Sequence, residues 1–462
     1  MYFEQFYLGC LAHASYLFGS DGQAAVVDPQ RDVEIYIEAA KKQGLQIRHI
    51  FETHLHADFV SGHNELAART GANIYIGKPA QATFPHVGLS DGDEVRVGNV
   101  RVQALATPGH TQESMCFLIT DGEKPDTPYA VLTGDTLFIG DVGRPDLSKI
   151  YTPPQLAGML HDSLHQKLMT LPNEVMVYPA HGAGSLCGRN MRAERSSTIG
   201  TERLTNYALQ IKDRDDFIRQ MTANLPARPD YFLEDAAINR AGASALADLP
   251  DLAPISASAL KARIESGDVA LDVRPGDDFA AGHVPGSINI ALSGQFASWA
   301  GAVLGLSSQP ILIAETEDQI AEARMRLARV GIEQLSGYLE GGLDAWKKAG
   351  YDLAQMPQMT VEELRTHLAA HDLQVLDVRR EGEWNAGHIE GADWYPLDKF
   401  KAALPSLENS TPTAVQCKSG YRSMIAASLL QRAGHNVVNV IGGYDAWEQA
   451  QQSKNSEATV SA

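Results

Sequence analysis

The C-terminal half of the chain contains one sequence pattern twice, and this repeat limits the possible folds more than any other feature. Leu-Asp-Val-Arg at 271–274 recurs at 376–379, Ala-Gly-His at 281–283 recurs at 386–388, and Gly-Gly-x-Asp-Ala-Trp at 341–346 recurs at 442–447. The offsets are 105, 105 and 101 residues. Solenoid repeats span ~20–50 residues, so this period is too long for a solenoid. The repeat predicts two copies of one domain.

Each copy alternates short apolar runs with helical periodicity. In the second copy, 374–378 and 413–416 have the pattern of strands, and 422–432 has that of a helix ended by Gly434. Strands that alternate with helices predict a parallel sheet covered on both faces.

The first ~225 residues have a different pattern, in which short strands come in hairpins. Residues 16–18 and 25–28 flank an Asp-Gly turn, and 95–97 and 101–105 flank Gly-Asn. Helical stretches such as 33–42 follow. This part predicts strand-rich sheets with outer helices.

Composition restricts the class of protein. The chain has 462 residues, enough for about three domains. Its formal net charge of −19 argues against nucleic acid and anionic membranes as partners. The four cysteines are too scattered for a disulfide framework. Neither a signal peptide nor an apolar run of ~18 residues is evident, so the sequence predicts a cytoplasmic protein without a membrane partner.

A cluster of metal-binding side chains follows a strand-like segment at 47–53. His54, His56 and Asp58 stand at alternate positions, so they can project from one loop toward one point. Three further candidates, each after another strand-like segment, are His110, Asp135 and His181. Imidazole and carboxylate are suitable donors for zinc, iron or manganese. The sequence therefore predicts a metal site.

These residues resemble the motifs of the metallo-β-lactamase superfamily: His-x-His-x-Asp-His, then Gly-His, Gly-Asp and a late Ala-His. The resemblance covers roughly residues 1–225 and implies an αββα fold. Phe59 stands where the family's motif has its last His, which helps to hold the second metal of the dinuclear hydrolases. A phenyl ring cannot bind a metal, so one metal is expected.

Mononuclear sites in this superfamily are typical of the persulfide (sulfur) dioxygenases. That resemblance implies one Fe(II) per chain, with zinc as the alternative, held by His54, His110 and Asp135. It places His56, Asp58 and His181 around the ligands, where they would orient them or bound waters. Spacing alone leaves open whether His54 or His56 is the ligand.

The segment after Asp135 continues the resemblance, because the dioxygenases carry a similar Gly-Arg-x-Asp after the metal-binding Asp. Arg144 in this segment is implied to hold a substrate carboxylate, for which a guanidinium is well suited. A structural Arg144, paired with Asp141 or Asp146, is the alternative.

Cys417 is the one cysteine in a loop with an evident chemical role. It lies between a strand-like run and a helix, in Cys-Lys-Ser-Gly-Tyr-Arg. Unpaired N–H groups at the helix start favour an anion, and Lys418 and Arg422 add positive charge. These effects favour a thiolate nucleophile.

The Cys417 loop and the repeated segments resemble the rhodanese sulfurtransferases over roughly 255–352 and 357–452. The resemblance implies a persulfide on Cys417, bound by a loop of Lys418, Ser419, Gly420, Tyr421 and Arg422. In the first copy the corresponding positions of Cys417, Lys418 and Arg422 are Ala314, Glu315 and Gln319. That copy cannot form a thiolate and is expected to be a scaffold or docking domain, or else a regulatory one.

The sequence therefore predicts an α/β multidomain protein: an αββα metallo-β-lactamase-like dioxygenase domain at 1–240, a rhodanese-like domain without cysteine at 255–352, and a rhodanese domain at 357–452. The expected function is oxidation of a thiol persulfide by O₂ to sulfite, coupled to sulfur transfer with thiosulfate as donor or product, as in hydrogen sulfide detoxification. A homo-oligomer, dimer or tetramer, is expected. Alternatives are a glyoxalase-II-like thioester hydrolase and a metal-sensing module that regulates the sulfurtransferase. The carrier thiol and the direction of sulfur flow stay open.

Overall fold

The computed structural model describes residues 1–223, 225, 227–407 and 411–460, with side chains as far as 453. Contacts divide the chain into two units. The first comprises residues 1–249 with 328–331, and the second comprises residues 250–327 and 332–462.

The first unit contains two six-stranded sheets, each formed by strands consecutive in the chain. The first sheet, in spatial order, consists of β1 (Tyr2–Leu8), β2 (His13–Ser20), β3 (Gln23–Val27), β4 (Gln46–Phe51), β5 (Asn73–Gly77) and β6 (Val87–Leu89). The second consists of β7 (Glu94–Val97), β8 (Val100–Ala106), β9 (Met115–Thr120), β10 (Ala130–Gly134), β11 (Met176–Pro179) and β12 (Ser197–Thr198). Both hairpins expected from the sequence are present as β2–β3 and β7–β8.

Six helices lie on the outer faces of the two sheets: α1 (Glu34–Lys42), α2 (His63–Thr70), α3 (Pro153–Gln166), α4 (Ile199–Thr205), α5 (Tyr207–Gln210) and α6 (Arg214–Thr222). A further helix, α7 (Phe232–Ala241), follows them in the chain. Short 3-10 turns span Lys78–Ala80, Leu168–Thr170 and Leu246–Asp248. Apolar side chains of α1 and α2 pack on the first sheet, and those of α3 to α6 pack on the second.

The main core of the first unit lies between the two sheets. Tyr16 and Phe18 of β2, Phe51 of β4 and Phe117 of β9 are buried there against one another. Together with the outer helices this gives the four layers of an αββα fold. Burying one face of each sheet in a shared core explains why apolar residues alternate along β8.

The second unit contains two five-stranded, all-parallel sheets with the same topology. The first copy has β13 (Pro254–Ile255), α8 (Ala257–Glu265), β14 (Ala270–Asp272), α9 (Gly276–Ala281), β15 (Ile288–Asn289), α10 (Phe296–Leu304), β16 (Ile311–Ile313), α11 (Glu317–Ala328), β17 (Gly337–Leu339) and α12 (Gly342–Lys348). The second copy has β18 (Gln358–Met359), α13 (Val361–Ala370), β19 (Gln374–Asp377), α14 (Glu381–Ala386), β20 (Asp393–Trp394), a 3-10 turn at Leu397–Lys399, β21 (Thr413–Gln416), α15 (Tyr421–Arg432), β22 (Val437–Val440) and α16 (Gly443–Val460).

The strand orders β13-β17-β16-β14-β15 and β18-β22-β21-β19-β20 correspond strand for strand. The predicted fold class, an αββα unit followed by two parallel-sheet α/β domains, is confirmed. Among the described residues, no helix combines the length and apolarity needed to cross a membrane.

Candidate metal centre and cysteine loop

The loop after β4 carries the histidine motif, and it leaves the sheet earlier than the sequence predicted. β4 ends at Phe51, whereas the apolar pattern extends to Thr53. The reason is Asp28, which follows the parallel neighbour β3 and accepts hydrogen bonds from the Thr53 amide at 2.7 Å and from Thr53 Oγ1 at 2.8 Å. The amide of Thr53 therefore donates its hydrogen bond to a carboxylate and not to a neighbouring strand.

His54, His110 and Asp135 meet at one point beyond the ends of β4, β8 and β10. His54 Nε2 lies 3.9 Å and His110 Nε2 lies 3.4 Å from Asp135 Oδ2. Suitable ligand atoms of the three residues lie within 4.8 Å of one another, and all three side chains are buried. The structure therefore brings together the three residues predicted as ligands.

The outer nitrogens of both imidazoles are already engaged. His54 Nδ1 lies 3.0 Å from Thr53 Oγ1, and His110 Nδ1 donates to the main-chain carbonyl of Arg144 at 2.9 Å. His110 Nε2 and Asp135 Oδ2 are buried and have no hydrogen-bond partner among the described residues. A lone pair on each inner atom, fixed by an outer hydrogen bond, is what a metal ligand requires, so these residues fit a divalent metal ion.

Charge states at this point also suit a cation. Burial lowers the pKa of His54 well below its usual range, and burial likewise lowers the pKa of His110. Burial by itself would raise the pKa of Asp135, but the neighbouring imidazoles, above all His181, bring it well below its usual range. Neutral imidazoles and an ionised carboxylate are the forms that bind metals.

A second buried group, His56, Asp58 and His181, lies beside the first. His181 Nδ1 lies 2.7 Å from Asp135 Oδ1, and its Nε2 lies 2.9 Å from Asp58 Oδ2. Burial would lower the pKa of His181, but the two carboxylates raise it well above its usual range. His181 therefore links Asp58 to Asp135, and Phe59 packs against His56 with ring centroids 4.4 Å apart.

Several residues that support the centre were not singled out from the sequence. Asp28 Oδ1 also lies 3.2 Å from His56 Nε2, so one carboxylate contacts both histidine positions of the motif, His54 through Thr53. The sequence feature that could have indicated Asp28 is its position directly after β3, the strand parallel and adjacent to β4. Asn239 of α7 donates to the carbonyls of His56 and Phe59 at 2.8 and 2.7 Å, which no local sequence pattern indicates.

Two further side chains reach the edge of the centre. Cys187 Sγ lies within 4.8 Å of ligand atoms of Asp135 and His181, and its thiol is buried. Burial, and then the charges of Asp58 and Asp135, raise the pKa of Cys187 well above its usual range. The buried ring of His13 packs on Phe59 with centroids 4.1 Å apart.

Arg144 contacts the centre through its main chain. Its guanidinium forms a two-point ion pair with Asp146, from Nε at 2.6 Å and from Nη2 at 2.8 Å, and Nη1 donates to the carbonyl of Leu186. Arg144 also lines a pocket together with Tyr207 and Arg189. The predicted contact with a substrate carboxylate stays a prediction, and in this structure Asp146 occupies the guanidinium.

The Cys417 loop lies between β21 and α15, as predicted. The amide of Gly420 donates to Cys417 Sγ at 3.2 Å, and Gly420 has φ +104°, which favours glycine. Ser423 Oγ lies 3.6 Å from Cys417 Sγ. Cys417 is buried, whereas Lys418 and Ser419 are exposed.

The two other side chains of the predicted loop point to neighbouring elements. Arg422 forms a two-point ion pair with Glu383 of α14, both contacts at 2.6 Å. The hydroxyl of Tyr421 donates to the carbonyl of Ala291 in the first copy at 2.9 Å.

Known protein families match the chain in the same order as its domains. The metallo-beta-lactamase superfamily matches residues 8–181, and the rhodanese-like domain matches residues 256–349 and 360–450. The chain is 30% identical over 223 residues to the persulfide dioxygenase ETHE1, mitochondrial, of Bos taurus, a match of 46% of this chain and 77% of that protein.

A probable hydroxyacylglutathione hydrolase of Schizosaccharomyces pombe is 34% identical over 163 residues, which is 34% of this chain. The match spans only 59% of that relative. The crystal structure of a metallo-beta-lactamase from Staphylococcus aureus subsp. aureus COL matches with a TM-score of 0.66 and 32% identity, over 73% of this chain and 98% of that one.

Proposed function

We propose that this chain, which belongs to the metallo-beta-lactamase superfamily and carries two rhodanese-like domains, is an iron-dependent persulfide dioxygenase fused to a sulfurtransferase. It would convert a low-molecular-weight thiol persulfide, such as glutathione persulfide, with one O₂ and one water into the thiol, sulfite and two protons. Cys417 would transfer sulfane sulfur, with thiosulfate as donor or product.

The observation that supports one metal is Phe59, which stands where the superfamily's motif has a His and packs against His56 with ring centroids 4.4 Å apart. A phenyl ring offers no ligand atom, so the second group has one donor fewer than the motif provides. Both nitrogens of His181 also lie close to carboxylates, Nε2 2.9 Å from Asp58 and Nδ1 2.7 Å from Asp135. We infer that His54, His110 and Asp135 hold a single ion and that the second group holds Asp135 in place.

Ferrous iron in this two-histidine, one-carboxylate set would supply O₂ activation and leave positions for O₂ and substrate. The chain's own part is orientation. Thr53 and the Arg144 carbonyl fix the two imidazoles, and His181 fixes the carboxylate of Asp135. Arg144 is proposed to bind a carboxylate of the substrate, in exchange for Asp146.

At the second site, the Cys417 thiolate attacks the sulfane sulfur of thiosulfate. A sulfur–sulfur bond forms to Cys417, the bond within thiosulfate breaks, and sulfite leaves with the electron pair. The Gly420 amide, 3.2 Å from Cys417 Sγ, is placed to stabilise negative charge on sulfur. A second thiol then takes the sulfur and frees Cys417.

The test is anaerobic loading with Fe(II), followed by O₂ uptake and sulfite release with glutathione persulfide. One iron per chain with one O₂ consumed per sulfite formed is the expected result. Tight zinc binding without O₂ uptake after iron loading would overturn the proposal. Metal analysis with His110→Ala, against the control His367→Ala at an exposed histidine of α13, should show loss of the ion in the first variant only.

A metal-dependent thioester hydrolase is the second candidate, because His56, Asp58 and His181 could together hold a second ion. A probable hydroxyacylglutathione hydrolase is also among the relatives. Two metals per chain with turnover of S-lactoylglutathione would favour it over the dioxygenase.

The boundaries 1–240, 255–352 and 357–452, the cytoplasmic location and the homo-oligomeric state stay predictions. Limited proteolysis tests the boundaries, and analytical ultracentrifugation tests the oligomeric state.

A further inference from the structure

The middle of helix α15, which begins four residues after Cys417, is buried on every side. All residues from 423 to 428 are buried. A helix that covers one face of a sheet normally exposes its other face to solvent. In this unit the first copy covers that face, so the helix that carries the reactive loop is shared by both copies.

Hydrogen bonds join α15 to the first copy along its length. Ser428 Oγ accepts from the amide of Asn289 at 3.0 Å. Near the end of the helix, Arg432 donates to three carbonyls of the first copy, those of Gly267, Asp268 and Gly286, at 2.9, 2.9 and 3.1 Å. The position of α15 is thus fixed by groups outside its own sheet.

Tyr421, the first residue of α15, contacts the first copy at the end of the helix that adjoins the Cys417 loop. Its hydroxyl donates to the Ala291 carbonyl at 2.9 Å, and burial raises the pKa of Tyr421 above its usual value. The ring lies against Gly294, where a methyl group would be in van der Waals contact with it at 3.5 Å.

Arg326 of α11 fixes the segment that receives Tyr421. Its guanidinium donates to the carbonyl of Leu292 and, at 3.1 Å, to that of Gly294. It also lies over the ring of Phe296, 5.3 Å from the centroid. Only 8% of Arg326 is exposed, and the same guanidinium also pairs with Glu322 of α11 at 2.9 Å, which fixes its orientation.

In the corresponding loop of the first copy, a side chain occupies two of the main-chain amides. Gln319 Oε1 accepts from the amides of Glu315 and Thr316 at 2.8 and 3.3 Å. In the second copy the amide of Gly420 instead points to Cys417 Sγ. In the first copy Gln319 therefore takes the amides of Glu315 and Thr316, which a sulfur anion would otherwise meet, and the contribution of this copy to sulfur transfer is sought in the surface it presents to α15.

We propose that the cysteine-free copy is a positioning domain for sulfur transfer, in which Arg326 and the 291–294 segment hold Tyr421 and thereby the geometry of the Cys417 loop. Tyr421 is then a positioning residue, and its hydroxyl does not contact the substrate. This inference rests on the proposed role of Cys417 as the sulfur-carrying nucleophile.

The experiment uses the full chain and compares Tyr421→Phe and Arg326→Met with wild type and with Tyr395→Phe. Tyr395 is the matched control, because its hydroxyl donates to the Ala403 carbonyl within the second copy. Two quantities are measured: kinetics of sulfur transfer from thiosulfate, and the rate at which iodoacetamide alkylates Cys417 between pH 5 and 9, followed by mass spectrometry of the Cys417 peptide.

One lost hydrogen bond corresponds to a change of about 2- to 10-fold. We expect kcat to fall by that factor in Tyr421→Phe and Arg326→Met, with the KM for thiosulfate within twofold of wild type. Alkylation of Cys417 should change in parallel, and Tyr395→Phe should match wild type. Circular dichroism and thermal unfolding check that the variants are folded.

A raised KM with unchanged alkylation of Cys417 would make Tyr421 a substrate contact and overturn the inference. The inference would also be overturned if Tyr421→Phe and Arg326→Met equal wild type in both measurements. In that case, loss of sulfur transfer in Cys417→Ser would still support the proposed function. If wild type transfers no sulfur but alkylation of Cys417 still changes in both variants, the proposed function fails and the positioning stands.

Discussion

The imidazole of His110 donates to the main-chain carbonyl of Arg144, with Nδ1 and the oxygen 2.9 Å apart. Because this contact uses the backbone, any residue at 144 can make it. Arg144→Gln should therefore leave the metal content unchanged. If the guanidinium binds a substrate carboxylate, the KM for glutathione persulfide should rise by about 10- to 100-fold, the value of one charged hydrogen-bond pair.

Asp146→Asn is the control for Arg144→Gln, since it frees the guanidinium and should not raise the KM. Steady-state O₂ uptake and metal analysis provide both measurements. An unchanged KM in Arg144→Gln would assign Arg144 a structural role with Asp146.

Asp28→Asn should weaken metal binding. The Asp28 carboxylate accepts hydrogen bonds from Thr53 and contacts His56. The side-chain amide of Asn at this position would place its N–H₂ group against Thr53 or His56 in place of a carboxylate oxygen. Losing a residue that orients ligands typically lowers metal affinity by about 10- to 100-fold. Competition with a chelator measures it, and Asp162→Asn, which changes an exposed ion pair with Arg214, is the control. Equal affinities would show that Asp28 only supports the loop.

Cys417→Ser should abolish sulfur transfer and leave O₂ uptake with glutathione persulfide within about twofold of wild type, because the hydroxyl is a far weaker nucleophile at neutral pH. Cys10→Ser, at a half-buried cysteine in the other unit, should change neither. Loss of both activities in Cys417→Ser would mean that the two reactions depend on each other.

Gly443→Ala should disrupt the Cys417 loop. Gly443 has φ +56°, and a methyl group there would overlap the main-chain oxygens of Cys417 and Lys418. Displacing a reactive group by about 1 Å can lower the rate about 100-fold. Gly434→Ala tests the backbone strain alone, because Gly434 also has positive φ but open space around it. Similar rates of sulfur transfer in both variants would contradict the crowding argument.

The ion pair of Glu383 and Arg422 should make stability depend on pH. Burial raises the pKa of Glu383, but Arg422 more than compensates, so the pKa lies below its ordinary 4.5. A carboxyl whose pKa is lowered in the folded state stabilises that state at pH values above 4.5, and this stabilisation disappears as the pH falls through the lowered pKa. Glu383→Gln should therefore be roughly 1 kcal/mol less stable than wild type at pH 7, with the difference shrinking in acid.

Urea unfolding between pH 3 and 7 measures the effect of Glu383→Gln. Glu381→Gln, at an exposed position in the first turn of the same helix, is the control. A difference that persists unchanged at pH 3 would show that the side chains contribute through packing rather than charge.

Much of the fold follows from local pattern. The repeat predicted two domains of one topology, and the two sheets have corresponding strand orders. The spacing of His54, His56 and Asp58, with later residues at strand ends, indicated a metal site because neighbouring strand ends meet at one sheet edge. These features depend on nearby residues or on a rule of sheet geometry.

The supporting contacts could not be predicted in this way. Asn239 reaches His56 across 183 positions of the chain, and Tyr421 reaches Ala291 across 130. No periodicity links such residues, because the contact exists only after separate elements have packed.

The sequence by itself determined which chemical groups the chain carries: the imidazoles and carboxylates of the first domain, one cysteine at a helix start, and no cysteine in the first copy. Only the tertiary structure decided how each is held: His110 by a backbone carbonyl, Arg144 by Asp146, and Tyr421 by Ala291. The physical reason is that residue type fixes what an atom can donate or accept, whereas the partner it meets depends on how distant segments bury their apolar faces together.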